Sequence, residues 1–293
     1  MSLTPSTLPR AANLVHVRAP RDADRGDPAL RVTLQRLAAL QTPQAAQAAV
    51  LALVVAPHSP REREAWDQAT HELPDADRLF DDVAALPAAR RLPWFEHLAR
   101  GLAPQAVALR HEVIDTARRI MTADGLVSPL DQLRWVALRH LLAGSAVAPP
   151  AAGDTDLDSL DDTHALQVCH FAAFLSQLVP APEVALDVSG FESVCQTWYD
   201  TVTAPWQDRL ERPLRGEPDI DASLRALRVL QGMPWLLRPV LVRSWFDAAR
   251  GLTDGPVLHP DAADALRLSC VLLDSPVPPE LGRQYIEVDA ARA

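Results

Sequence analysis

Three short stretches of this chain hold residue types that could do chemistry. His111-Glu112-Val113-Ile114-Asp115 approaches the zinc-hydrolase helix, in which histidines four positions apart hold the metal and a glutamate beside the first serves as base. Its fifth position is aspartate and no third ligand offers itself, so His111 reads as a surface residue. Asp154-x-Asp156-x-Asp158 opens like a calcium loop, but Ser159 stands where that loop needs glycine and Ala165 where it needs glutamate. A solvated acidic linker is the simpler reading. Cys169 and His170 are adjacent, and neighbours on a helix diverge by about 100°, so they form no nucleophile and base pair. The sequence contains no G-x-S-x-G, no G-x-G-x-x-G and no phosphate-cradling glycine loop. No catalytic constellation emerges, and a non-enzymatic role is expected.

The elements that position these residues are helices, arranged around two related bends. Asp124-Gly125-Leu126-Val127-Ser128-Pro129-Leu130-Asp131 and Asp254-Gly255-Pro256-Val257-Leu258-His259-Pro260-Asp261 share the skeleton Asp-Gly-x-Val-x-x-x-Asp, 130 positions apart. In the first, Gly125 suits the left-handed end of a helix, while Ser128, Pro129 and Asp131 suit the cap and first turn of the next. Asp131 sits where a capping box places its acid, at the positive end of a helix dipole. Val127 is expected to plug the bend into the core. The second bend has Leu258 at the cap position, so its helix is expected to start one residue later, with His259 as a poor cap before Pro260.

Composition agrees with an all-α fold. The chain of 293 residues is 48% hydrophobic and 5% aromatic, without alternating runs that would mark strands. Its 26 prolines fall mostly between helical runs. The spacing predicts two helices between Pro28 and Val55, the second apolar and buried, then helices over 59–72, 74–86, 92–102, 105–123 and 130–142. Further helices are expected near 162–179, 188–203, 217–232, 234–251 and 260–273. Trp198, Trp206, Trp235 and Trp245 are expected to fill gaps between them. The domain reading is a loose leader over 1–27, a helical module over 28–143, an acidic linker over 144–162, a second module over 163–282 and a tail over 283–293.

All 28 basic residues are arginine, against 38 acids, for a net charge of −10. That balance argues against nucleic acid or an anionic membrane as partner. Cys169, Cys195 and Cys270 are far apart and odd in number, which favours a reducing compartment. No apolar run approaches the roughly 20 residues of a membrane span, and the N-terminus lacks a signal-peptide layout. A cytoplasmic protein without direct membrane insertion is expected.

The run Leu92-Pro93-Trp94-Phe95, the stretch Ile120 to Ser128, Asp131 and Leu138-Arg139-His140-Leu141-Leu142 together resemble the tellurite-resistance TerB-like helical module. More narrowly, they resemble the C-terminal region of bacterial membrane metallopeptidases of the CAAX-prenyl-protease class. The second half resembles it through Ser223-Leu224-Arg225-Ala226-Leu227, Thr253-Asp254-Gly255, Asp261, Asp264-Ala265-Leu266-Arg267 and Cys270 to Leu273. The resemblance covers about residues 30–281 and implies two tandem all-helical accessory modules, with the peptidase domain itself missing. It further implies a protein partner, such as a membrane-associated metalloprotease or a stress-response complex. A divalent cation such as calcium or magnesium on Asp124, Asp131, Asp254 and Asp261, with Asp264 beside them, is a second implication. A split metallopeptidase lacking its zinc domain is a third. Helix capping by the same aspartates competes with metal binding, since both roles want one position.

Overall fold

A computed structural model describes residues 27–143, 156–179, 188–215, 220–253 and 257–288. These residues form thirteen α-helices and two short 3₁₀ turns, with no strand among them. The leader over 1–26, most of the 144–162 linker, the bend residues 254–256 and the end of the tail lie outside the described residues.

Seven helices precede the linker: α1 (Pro28–Ala38), α2 (Pro43–Val54), α3 (Pro60–Thr70), α4 (Ala76–Ala84), α5 (Ala88–Leu102), α6 (Val107–Met121) and α7 (Pro129–Ala143). The centre is α2, as its composition predicts. Thr42 caps it by accepting from the Ala45 amide at 3.2 Å, and every residue from Ala48 to Val54 is buried. Burying a Leu or Val in such a position stabilises by about 1.5–3 kcal/mol. Around α2 pack α3, α4, α5 and α6, while α7 lies on α5 and α6. From α3 the fully buried Trp66 donates its indole N–H to Ala48 O at 3.0 Å, which satisfies its polar end inside the core.

Six helices follow: α8 (Asp162–Leu175), α9 (Val188–Thr203), α10 (Ile220–Leu230), α11 (Leu237–Gly251), α12 (Pro260–Leu272) and the short α13 (Pro279–Gly282). Here α8 takes the central place, capped by Asp161 through the His164 amide at 2.9 Å and buried along Phe171 to Leu175. It packs on α9 and α10, α9 packs on α11, and α11 packs on α12. Buried Trp198 of α9 donates to Trp245 O of α11 at 3.1 Å. A single connected apolar core runs from Leu37 to Tyr285, and α7 against α12 is its main crossing between the two stretches.

Several expectations need correction. Helix α5 begins at Ala88, not Leu92, and runs through Pro93. A proline there leaves the carbonyl four residues earlier without its helical donor. That carbonyl, Ala89 O, accepts from the Ile286 amide at 3.0 Å, so the interruption anchors the C-terminal segment. Val127 does not plug the bend: it is 40% exposed and Leu126 75%. Val107 is 56% exposed at the start of α6. Trp235 is exposed as well, unlike the other three tryptophans expected to fill gaps. Among the described residues no helix is long and apolar enough to cross a membrane.

Candidate functional site

The first bend is built as its residues dictate. After α6, Gly125 adopts φ +82°, the left-handed conformation that other residues reach only with a Cβ clash. Its amide donates to Thr122 O at 3.1 Å and closes the helix end. Both oxygens of Asp124 are engaged: one accepts from the Leu126 amide at 2.9 Å, the other from Ser59 Oγ at 3.1 Å. These polar bonds hold the bend, which leaves Leu126 and Val127 free to face solvent. At the start of α7, the Asp131 amide donates to Ser128 Oγ at 3.1 Å, and Asp131 Oδ2 accepts from the Ser128 amide at 3.2 Å and hydroxyl at 2.6 Å. This is a reciprocal capping box with aspartate in the usual place of glutamate.

Beneath the bend, Glu62 is almost fully buried and accepts from the Ala56 amide at 2.6 Å. Burial pushes its carboxyl up against that hydrogen bond, with further help from the nearby charges of Asp124 and Asp131. Three acids of the first half therefore share one neighbourhood.

The second bend is degraded where the sequence says it should be. Helix α12 starts at Pro260, and His259 caps it weakly, its Nδ1 accepting from the Asp261 amide at 3.3 Å. Asp261 is exposed, and Asp254 lies outside the described residues.

Asp131 of the first bend and Asp264 of α12 meet at an arginine. Arg134 of α7 lies 3.7 Å from Asp131 and 3.1 Å from Asp264 of α12, and Tyr285 donates its hydroxyl to the other oxygen of Asp264 at 2.9 Å. Burial pushes Asp264 upward, while Arg134 and the Tyr285 hydroxyl pull it down. Arg134 and Asp264 are separated by the same 130 positions that separate the two Asp-Gly pairs. Among the described residues no three of His, Cys, Asp and Glu are grouped as a metal ion would need.

This polar chain forms part of the wall of a cleft of about 850 Å³ between the two stretches. Leu53, Val55, Leu92, Phe95 and Leu130 line it from the first stretch, and Val257, Leu258 and Ala263 from the second. Arg91 of α5 also lines it, half-buried, its only hydrogen bond among the described residues a 3.4 Å contact to Val83 O. Arg250 and Arg283 stand exposed at the edge. Sequence reasoning missed Arg91, Arg134 and Tyr285. Only Arg134 left a signal, as the helical i+3 neighbour of Asp131; its partner on α12 is a long-range contact.

The three stretches singled out in the sequence lie apart from this cleft, and Asp154 lies outside the described residues. His111 is exposed on α6, and all three cysteines are buried thiols. Burial pushes the thiols of Cys169 and Cys195 up to about 11 and that of Cys270 up to about 12, far from a reactive thiolate. His140 sits 2.9 Å from Asp274 and within 3.2 Å of the Gln231 amide, a contact across the two stretches. Compared with protein-family models, with curated proteins and with solved structures, the chain matches none.

Proposed function

We propose that this protein is a non-catalytic helical accessory protein, made of two tandem TerB-like modules, that works by binding a protein partner such as a membrane-associated metalloprotease or a stress-response complex. The observation that carries it is an exposed apolar group at the start of α11: Trp235 is 57% exposed, Leu236 41% and Val240, one helical turn on, 39%. Tryptophan flanked by aliphatic side chains is the composition of a binding hot spot, and such groups on a protein surface mark contact sites. The tandem reading is supported by matched packing. In each half a buried central helix is flanked by a tryptophan-bearing helix, and α6 with α7 parallels α11 with α12. Arg134 and Asp264, at equivalent positions of the two copies, touch each other, as residues near a two-fold axis do.

The test is partner capture by crosslinking in native lysate, with the parent chain beside Trp235→Ala and Leu236→Ser. Recovery of one species by the parent and its loss with both variants is expected. A chain that stays monomeric and partnerless under mild conditions contradicts the proposal.

A second reading, divalent-cation binding by Asp124, Asp131, Asp254 and Asp261, rests on the charge influence of Asp124 and Asp131 on buried Glu62, against which stands the lack of any three such groups arranged for a metal ion among the described residues. Calorimetry with calcium, magnesium and manganese decides it, and no heat at millimolar metal removes it.

A further inference from the structure

The cleft between the two stretches has the attributes of a small-molecule site. Its volume of about 850 Å³ suits an organic ligand. Its walls are largely aliphatic, and Leu53, Val55, Leu92 and Phe95 are already buried, so an apolar body placed there meets side chains held in fixed positions.

The charges are unevenly matched. Asp264 is engaged by Arg134 and Tyr285, and Glu280 by Arg243 at 2.9 Å. Arg91 has no carboxylate partner among the described residues. Of its five N–H donors, one makes a long bond to a backbone carbonyl. Burial and the neighbouring Arg134 both disfavour its charge, with Asp264 the opposing influence. A partly desolvated guanidinium with idle donors is costly by itself and gains when an anion docks on it in two-pronged fashion.

We propose that this cleft binds an amphipathic monoanion, a carboxylate carried on an apolar acyl or aryl body, with Arg91 as the charge partner and the Leu53, Val55, Leu92 and Phe95 wall holding the body. Four arginines (Arg91, Arg134, Arg250 and Arg283) and three acids (Asp261, Asp264 and Glu280) line the cleft, which leaves one positive charge in excess to meet one negative charge, and Arg91 is the half-buried arginine set in the apolar wall. A phosphate dianion would bring excess charge close to Asp261 and Asp264, which line the same cleft.

The experiment is calorimetric titration of the full chain with decanoate, 2-naphthoate, decanol and inorganic phosphate. At least one of the two carboxylates binds at one per chain, and which one answers distinguishes an acyl from an aryl body. Decanol binds more weakly and phosphate gives no heat. Arg91→Gln weakens the carboxylate by about tenfold or more, the loss expected for a charged hydrogen-bond pair, and leaves decanol unchanged. Ala89→Trp, which fills the cleft from a half-buried wall position, abolishes binding of both, with thermal unfolding showing that the variant is folded. If Arg91→Gln does not fold, Ala89→Trp decides. Failure of both carboxylates to saturate at millimolar concentration overturns the proposal. So does a stoichiometry above one, an Arg91→Gln affinity within twofold of the parent, or unaltered binding to Ala89→Trp.

Discussion

Arg267 and Arg91 both lie where the two stretches of the chain meet, yet their surroundings are opposite. Arg267 of α12 is 3% exposed and fully engaged: its Nε donates to buried Glu96 of α5 at 2.6 Å, its two terminal nitrogens reach Glu287 at 2.7 and 3.0 Å, and its plane lies over Tyr285. Burial works against its charge, but the bonds to Glu287 and Glu96 outweigh it and hold the guanidinium protonated. Among the described residues Arg91 has one long bond and no carboxylate. The paired arginine ties α5 to α12 and the C-terminal segment. The unpaired one contributes little to holding the chain together and keeps its donors for something else. Where each guanidinium nitrogen meets a carboxylate the interface is a lock, and where donors stand idle beside a cavity it is a place to bind.

Substitutions can break or sharpen that contrast. Arg267→Met should have the largest effect, because buried Glu96 then keeps only the mostly exposed Arg100, at 3.1 Å, and Glu287 loses both of its bonds, which together cost about 3 kcal/mol. Equilibrium denaturation reads it as a lowered midpoint, and replacing Glu96 by Leu in the same chain should restore most of the loss. At the first bend, Gly125→Ala should cost about 1–2 kcal/mol through its left-handed backbone alone, since open space surrounds the added carbon. Ser128→Ala should cost about 1 kcal/mol by removing the cap from α7. Both should appear in thermal unfolding. Arg91→Gln should be smallest, within about 0.5 kcal/mol of the parent. A loss there as large as that of Arg267→Met would erase the distinction between the two arginines.

The local parts of this structure were legible in the sequence. The seven consecutive apolar residues from Ala48 to Val54 announce a buried helix, and Gly125, Ser128 and Asp131 announce a helix end, a cap and a capping acid. These are short-range effects that a window of a few residues contains. What could not be read depends on distant partners. The spacing predicts a helix only from Leu92, but α5 runs through Pro93 from Ala88, and Ile286 supplies a donor for the carbonyl that Pro93 leaves unbonded. Val127 looked like a core plug because it is apolar, while Asp124 and Ser59 fix the bend without it. Arg91 was one arginine among 28, and only the cleft singles it out.

The central claim is that the two stretches form one cooperative body, locked through Glu96, Arg267 and Glu287, with the cleft as a permanent gap in that body. Native-state amide exchange of Arg267→Met against the parent, followed at the slowest amides of α2 and α8, tests it most directly. Equal loss of protection in both helices is the expected result. Loss in α8 with α2 unchanged would mean that the two stretches open separately, and would contradict the account.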